Sequence, residues 1–370
     1  MCTKKSVKSI KNKKRYIYPF TFCANLCYYQ LKDNKIKRYI YPLLQLYYKL
    51  KGAVPVKKGY VIINAQQKGG VGKTTDSCME SIVASLIFNK KVLFIDTDLQ
   101  GNGTTFLAKS FTITEMPKTL MKCLEDGDLS EGIVQLHENL DMIPCGYDMR
   151  KYTDFLIENF NTTEDRTFYL SRLLEKIKYN YDYIFIDIPP STDLKVDNAM
   201  VASDYIIVVQ ETQQFAYEGS QRLIFEYIQT LVDDFGSLVK MQVAGVLPVL
   251  LQQKRTLHKE IVKSTLSTFG EENVFNTIIN NHARLEWYPR IGLQFGDHHD
   301  KRMLALFCDI FCELEERIQL FETEGDIKPR YRYTPKYFVE NKLTKLGKEI
   351  DIHGFNQKGN TARTEDSTIC

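Results

Sequence analysis

The chain has 370 residues, 44% hydrophobic and 26% charged, which is enough apolar material for a large folded core and excludes a wholly disordered protein. The net charge of +3 conceals an asymmetry, since residues 1–60 carry 15 Lys and Arg against the single acid Asp33 and the rest has a net charge of −11. The nine cysteines form no CxxC pair and no zinc spacing with histidine, which excludes a disulfide scaffold and favours a reducing, cytoplasmic setting. No apolar run reaches the roughly 18 residues of a membrane span, so no membrane is expected.

The first 55 residues alternate lysine-rich and tyrosine-rich clusters, and two interpretations remain open. In one, residues 1–55 are a basic extension for nucleic acid or another anionic surface, because lysines neutralise phosphates and tyrosines stack on bases. In the other, this extension is not part of the native protein. Possible codons for Lys51, Gly52 and Ala53 contain a ribosome-binding sequence, and Val56 can be encoded by a GTG start codon. The nucleotide sequence would decide between them.

Residues 61–75 read VIINAQQKGGVGKTT, and this stretch fixes the kind of chemistry that we expect. The β-branched run Val61–Ile63 predicts a buried strand that ends in a glycine cluster, and Thr74–Asn89 predicts the following helix. Backbone amides of such a loop close round phosphate oxygens, and the helix N-terminus favours their charge. Lys73 is the expected phosphate lysine, and the Thr74 hydroxyl a magnesium ligand. The predicted cofactor-binding residues are Gly69, Gly70, Val71, Gly72, Lys73, Thr74 and Thr75.

Acidic residues follow two later strands of the predicted sheet. Lys91–Ile95 leads into Asp96 and Asp98, and Tyr183–Ile186 leads into Asp187. The carboxyl ends of parallel strands lie at the same edge of a sheet as the glycine loop, where magnesium, water and the terminal phosphate would meet. One residue, Thr97, separates Asp96 from Asp98, and different roles are expected for the two acids. Asp187 fits the acid that holds the hydration shell of magnesium.

The segment between these strands is less informative. We predict short helices over Thr119–Glu125 and Lys151–Phe160, a strand over Leu140–Pro144 and an amphipathic helix over Thr167–Tyr179. No catalytic pattern is found there.

Beyond the second acidic strand, strands and helices continue to alternate. Tyr205–Gln210 and Val243–Val249 are predicted strands, and Asp300–Leu320 is a predicted amphipathic helix. The polar tail from about Glu322 is expected to be loose, except that Tyr337–Ile350 predicts a short basic amphipathic helix.

Five strands that alternate with helices predict an α/β fold with a mainly parallel, doubly wound sheet. The expected organisation is a basic extension over residues 1–55, a P-loop domain over residues 56–322 and a polar tail over residues 323–370.

The stretches KGGVGKTT, DTDLQGN and YDYIFIDIPPS resemble, in this order, the motifs of the deviant Walker A ATPases of the ParA/MinD family. Two departures are Gln67, where the usual P-loop has glycine, and Leu99 in place of proline. The resemblance implies that Lys68 reaches across a dimer interface to the nucleotide of the other subunit. It also implies that Asp98 orients the attacking water or a metal-bound water and that Asp96 supports the loop. The implied catalytic residues are Lys68, Lys73 and Asp98, and the implied metal ligands are Thr74, Asp98 and Asp187.

By this resemblance the chain is a ParA-like ATPase for DNA partition, with a plasmid as the expected cargo. ATP and Mg²⁺ would drive a homodimer that binds nonspecific DNA, and a ParB-like centromere-binding partner would stimulate hydrolysis. The expected location is the cytoplasm, in association with the nucleoid. Lys254, Arg255 and Arg284 are the candidate DNA contacts, and a solvated basic surface is the alternative for each of them.

Two other functions remain open. A MinD-like ATPase would be a membrane-associated spatial regulator anchored by a terminal helix. A DNA-binding regulator would depend on the basic extension more than on turnover. Cosedimentation with liposomes in the presence of ATP tests the first alternative, and deletion of residues 1–55 tests the second.

Overall fold

The structure is a computed structural model that describes residues 59–353, so the expectations for residues 1–55 lie outside the described residues. The strands are β1 (Tyr60–Ala65), β2 (Val92–Asp96), β3 (Val134–His137), β4 (Leu140–Ile143), β5 (Tyr183–Asp187), β6 (Tyr205–Glu211), β7 (Gln242–Val249), β8 (Phe338–Val339) and β9 (Lys342–Leu343). The helices are α1 (Lys73–Leu86), α2 (Asn102–Phe111), α3 (Leu120–Asp126), α4 (Tyr152–Asn159), α5 (Thr163–Thr167), α6 (Tyr169–Leu174), α7 (Leu194–Ala202), α8 (Gln214–Arg222), α9 (Gln229–Phe235), α10 (Thr256–Phe269), α11 (Ala283–Ile291), α12 (His298–Glu324) and α13 (Lys345–Lys348).

The main sheet of the described chain has seven strands in the order β3-β4-β2-β5-β1-β6-β7. Every neighbouring pair is parallel except β3 with β4, which confirms the α/β class and the mainly parallel sheet. The strand predicted near Leu140 joins the sheet beside β2, and the antiparallel edge strand β3 was missed, because the sequence VQLH is short and half polar.

Helices cover both faces of the sheet, because successive strand residues point to opposite sides. In β1, Ile62 packs into the core that contains α1 and α12, whereas Val61 and Ile63 pack into the core that contains α6 and α7. Because these strands are parallel, their carboxyl ends lie at one edge of the sheet, which is where ligands bind in doubly wound sheets.

The amphipathic helix predicted over Thr167–Tyr179 was wrong in extent. The chain forms α5 and α6, which are separated at Phe168, where φ and ψ are −95° and 11°. The Asn198 side chain of α7 lies at the break, where Nδ2 donates to Arg166 O at 2.8 Å and Oδ1 accepts from Leu170 N at 3.2 Å. A side chain that takes over backbone hydrogen bonds interrupts a helix. Because Asn198 is distant in sequence, this interruption could not be predicted from the residues of the helix itself.

Residues 326–353 are packed against the domain instead of being loose, since Ile327, Tyr333 and Phe338 are buried. The short helix predicted within Tyr337–Ile350 is present, but the predicted extent was wrong. Strands β8 and β9 form an antiparallel pair there, and only the single turn of α13 is helical. We call Phe338–Leu343 the C-terminal hairpin.

Candidate active site

The loop between β1 and α1 has the backbone of a phosphate-binding loop. Gly70 and Gly72 have φ of 76° and 104°, a left-handed range that residues with a side chain rarely adopt. Gly72 is the N-cap of α1 and provides no side-chain hydrogen bond to the first amides of the helix. Those amides and the helix dipole are therefore available to an anion.

The ammonium group of Lys73 lies within this loop. Lys73 is 5% exposed, and its Nζ donates to Lys68 O over a long distance of 3.3 Å. Burial lowers the pKa of Lys73, while the carboxyls of Asp187, Asp98 and Asp76 act in the opposite direction. A cation that is nearly buried and weakly hydrogen-bonded gains most from an anionic ligand.

Asp187 ends β5 and is aligned with Asp96 of β2. Its side chain is fully buried, and neither Oδ atom has a hydrogen-bond partner within the described residues. Burial is the largest cause that raises the pKa of Asp187, followed by Asp96, whereas the Thr74 hydroxyl and the Lys73 ammonium lower it. The protein thus places a fully buried carboxylate at the loop, where the Thr74 hydroxyl and the Lys73 ammonium favour its charged form.

This orphaned carboxylate fits a hydrated magnesium ion. Across residues 59–353 no three His, Cys, Asp or Glu side chains converge into a site that could hold a metal alone. Magnesium does not require such a cluster, because proteins bind it through one or two carboxylates together with water and substrate phosphates. Asp187 and the hydroxyl of Thr74, in the first turn of α1, match that set of ligands.

Asp96 organises the loop that follows β2. Its Oδ1 accepts from Asp98 N at 3.0 Å, and its Oδ2 accepts from Thr104 N at 2.7 Å and from Thr104 Oγ1 at 2.8 Å. Burial raises the pKa of Asp96 to about 6, and the Thr104 hydrogen bonds oppose that rise. These contacts agree with the supporting role implied by the resemblance. Thr104 had not been recognised, because its partner lies eight residues earlier.

Asp98 lies on the site side of this loop. It is 9% exposed, and its Oδ1 accepts from Gln100 N at 3.0 Å, which fixes the turn into α2. The Asp98 carboxylate acts electrostatically on both other groups: it raises the pKa of Lys73 and that of Asp187. Its roles in orienting water and in binding metal stay predictions.

Lys68 is held by its own chain. Its Nζ lies 2.5 Å from Glu211 Oε2 and 3.5 Å from Gln213 Oε1, at the carboxyl end of β6. The Lys68 side chain keeps 34% of its surface exposed in this ion pair. Glu211 was not identified from the sequence, although its place at the end of a parallel strand was a usable signal. Action of Lys68 across a dimer interface stays a prediction.

A buried polar network behind the loop was also missed. Asn64 of β1 donates from Nδ2 to Ser77 Oγ at 3.1 Å and to Glu80 Oε2 at 2.6 Å. Burial raises the pKa of Glu80 to about 8, and it raises the pKa of Asp76 well above the usual range, with Glu80 as the next cause. The available signal was a pair of acids at i and i+4 on the apolar face of a predicted helix.

The three candidate DNA contacts differ in their surroundings. Lys254 and Arg255 are exposed in the loop after β7 and form no ion pair with another described residue. Arg284 forms ion pairs with Asp297, at 2.9 Å, and with the buried Asp300. Two acids of the same chain therefore offset the charge of Arg284, which makes it the least available of the three to a phosphate.

A cavity of about 510 Å³ opens beside the loop after β7. Two of its polar lining residues hold buried atoms without a hydrogen-bond partner in the described part of the chain, namely Asn280 Oδ1 and His282 Nε2. Leu251 follows the carboxyl end of β7, so this cavity lies at the same edge of the sheet as the phosphate loop. Its lining residues are Leu251, Gln252, Gln253, Lys254, Arg255, Asn280, Asn281, His282 and Asn341.

Comparison with known proteins agrees with this geometry. A protein-family model described as an AAA domain matches residues 59–241. The chain is 31% identical to the sporulation initiation inhibitor protein Soj of Bacillus subtilis, over 63% of this chain and 89% of that protein. It is 29% identical to the chromosome-partitioning ATPase Soj of Treponema pallidum, over 65% of this chain and 90% of that protein.

A solved structure of a plasmid partition protein from Borrelia burgdorferi superposes with a TM-score of 0.51 at 26% identity, covering 63% of this chain and 96% of that one. The match to Soj extends over most of that protein and accompanies the phosphate loop, the aligned acids and the lysine in front of the glycines. The chain therefore belongs to the Soj/ParA family of P-loop ATPases.

Proposed function

We propose that this chain is a Mg²⁺-dependent ATPase that partitions DNA, with a plasmid as its cargo. In this proposal ATP drives the formation of a homodimer that binds nonspecific DNA, and a ParB-like centromere-binding protein stimulates hydrolysis and release. The cytoplasm and the nucleoid are the expected locations. The observation that carries the proposal is the buried pair of Lys73 and the orphaned Asp187 at a glycine loop, with Lys68 directly in front of it.

The side chains of the site divide the work of phosphoryl transfer. Lys73 and the first amides of α1 would bind the phosphates, and Thr74 and Asp187 would hold the metal. Bound Mg²⁺ would supply positive charge that offsets the developing charge on the phosphate oxygens. Asp98 would orient the water that attacks. Such a site stabilises charge and positions groups, so it can remain slow until a partner protein completes it.

The cavity after β7 suits the base of the nucleotide. It lies two strand positions from β1, at the same edge of the sheet, because the order there is β1-β6-β7. With neighbouring strands roughly 5 Å apart, the cavity is offset from the phosphate loop by about 10 Å. A nucleotide whose phosphates bind at the loop could extend along this edge to place its base in the cavity.

The exposed pair Lys254 and Arg255 supports a contact with the DNA backbone, which needs positive charge and no particular base sequence. The MinD-like alternative depended on a basic amphipathic helix over Tyr337–Ile350, and that segment forms a hairpin and one helical turn. No helix within residues 59–353 combines the length and apolarity needed to cross a bilayer. No observation favours that alternative.

The test is DNA cosedimentation of the full chain and of a chain that starts at Val56, each with ATP, with ADP and without nucleotide. We expect both to bind DNA only with ATP, and we expect ATP turnover to require Mg²⁺. Binding by the full chain alone, regardless of nucleotide, would replace the nucleotide switch with a basic extension. Turnover that persists in a metal chelator would contradict the proposed site.

A further inference from the structure

The end of β6 that holds Lys68 is joined to helix α10 by one buried histidine. Glu211, the partner of Lys68, is followed directly by Thr212, which is fully buried. Thr212 Oγ1 lies 2.6 Å from Nδ1 of His258, a residue in the first turn of α10 that is 2% exposed. A short hydrogen bond between buried groups restrains both of them, so His258 restrains the strand end that presents Glu211.

The same imidazole nitrogen contacts the turn that precedes α10. Gln252 N donates to His258 Nδ1 at 3.4 Å, and Arg255 N donates to Gln252 O at 2.9 Å. Residues 252–255 therefore form a β-turn, which we call the α10 turn. It contains the exposed cations Lys254 and Arg255, which are the two proposed DNA contacts without an ion pair to another described residue.

His258 Nδ1 thus has two hydrogen-bond partners and one acceptor position. A backbone amide can only donate, so Nδ1 accepts from Gln252 N, and the Thr212 hydroxyl donates to the same atom. The accepting nitrogen of a neutral imidazole has one lone pair, which the two donors have to share. A shift of either donor therefore changes the hydrogen bond of the other.

The backbone that leads into the α10 turn is strained. Leu250, the residue after β7, has φ of 55°, a left-handed value that leucine rarely adopts. Thr212 lies beside it, since Thr212 N donates to Val249 O at 3.1 Å and Thr212 Oγ1 lies 3.4 Å from Leu250 O. Strained residues persist only where the surroundings hold them, and they cluster at ligand contacts and at segments that switch conformation.

We propose that His258 is a positioning residue that couples binding of DNA at the α10 turn to release of Lys68 from Glu211. This inference rests on the proposed function, in which the cations of the turn contact DNA and Lys68 moves to the nucleotide of a second copy. DNA phosphates that attract these cations displace the turn and its amide hydrogen bond to Nδ1. The Thr212 hydroxyl and the adjacent Glu211 then shift as well.

A coupling factor measures this role. It is the ratio of the affinities of the full chain for a nonhydrolysable ATP analogue with Mg²⁺ in the presence and absence of duplex DNA, and it equals the effect of the analogue on DNA affinity. We expect His258→Leu, which removes the acceptor, to lower this factor about fivefold, as for the loss of one hydrogen bond. Binding of the analogue without DNA should be retained and shows that the variant is folded.

His258→Asn is the rescuing variant, because its side-chain oxygen can accept hydrogen bonds in the place of Nδ1. It should keep the factor of the unmodified chain. Thr265→Val is the matched control, since Thr265 Oγ1 accepts from Gln210 Nε2 at 2.6 Å. This substitution also breaks a buried hydrogen bond between α10 and β6, but about two helical turns further from the α10 turn, and it should leave the factor unchanged.

Thr212→Val removes the other partner of the same hydrogen bond and tests the inference even where His258→Leu does not fold. It should lower the factor as much as His258→Leu does, and the double variant should lose no more than either single variant.

An unchanged factor in Thr212→Val, an equal loss in Thr265→Val, or losses that add in the double variant would overturn the role of His258 while the ATPase stands. Failure of the unmodified chain to bind DNA in the presence of the ATP analogue would instead overturn the proposed function on which the inference rests.

Discussion

Glu80 offers a direct test of the buried acids behind the phosphate loop. Its side chain lies on the buried face of α1, where Oε2 accepts from Asn64 at 2.6 Å and Oε1 has no partner among the described residues. Burial raises the pKa of Glu80 from the ordinary 4.5 to about 8, against the effect of the Asn64 hydrogen bond. At neutral pH the carboxyl is therefore mostly protonated in the folded chain and ionised in the unfolded chain.

The sign of the pH dependence follows from this difference. Between pH 4.5 and about 8 the folded chain binds more protons at Glu80 than the unfolded chain does. The free energy of unfolding is therefore highest below the lower value and falls as the pH rises through the window. Within this window the free energy of unfolding falls by roughly 1 kcal/mol per pH unit. Its total decrease is about 3 kcal/mol at neutral pH, and it levels off above the pKa of Glu80 in the folded chain.

We expect Glu80→Gln to remove this slope, because glutamine has nearly the same shape, keeps an oxygen that accepts from Asn64 and carries no charge. Urea unfolding from about pH 5 to about pH 8 measures the effect. Over this range the free energy of unfolding of the variant should rise by about 3 kcal/mol relative to that of the unmodified chain. Glu158→Gln, at an exposed position of α4, is the control and should leave the profile unchanged. Parallel profiles for Glu80→Gln and the unmodified chain would refute the reasoning.

Lys73→Ala should abolish nucleotide binding in a titration with a fluorescent ATP analogue, because it removes the buried cation of the loop; unchanged affinity would contradict the site. Asp98→Ala should bind ATP with nearly unchanged affinity but lose turnover in a phosphate-release assay, and an unchanged rate would remove its proposed role. Arg317→Ala should lower the free energy of unfolding in urea by about 3–5 kcal/mol, because it leaves a buried charge without its partner. Arg317 is fully buried and donates to Glu313 at 2.9 Å and to Val274 O at 2.8 Å, so a loss below about 1 kcal/mol would show that the buried pair contributes little.

The candidate site could be located from the sequence because its parts are local patterns that the topology brings to one edge of the sheet. Glycines with positive φ and acids at strand ends are visible as short patterns, and parallel strands place their carboxyl ends at one edge. Asp96, Asp98 and Asp187 could therefore be assigned to one place before any distance was known. Their separate tasks depend on contacts such as that of Thr104 with Asp96, which the pattern alone does not contain.

The tail could not be predicted because long-range contacts determine its structure. The apolar residues of Tyr337–Ile350 are irregularly spaced, and this spacing does not distinguish a short helix from a hairpin. The hairpin forms because Asp309, on another element, accepts the amides of the entering strand, and because Glu340 and Asn341 adopt left-handed conformations. Of these two residues, only Asn341 is of a type that favours a left-handed conformation. The sequence therefore lacks the Asn-Gly pattern that identifies a two-residue hairpin turn.

The ion pair of Lys68 bears on how a dimer could switch. In the proposed dimer, the Lys68 ammonium would exchange its contact with Glu211 for one with the nucleotide of the second copy. With a third of its side-chain surface exposed, such a pair contributes only about 0–1 kcal/mol. A contact with phosphate at a buried interface is charge-assisted and stronger than this, at roughly 2–3 kcal/mol. The Glu211 contact can therefore hold Lys68 in the single chain without preventing its transfer, and the balance between the two contacts favours the dimer only when a phosphate is present.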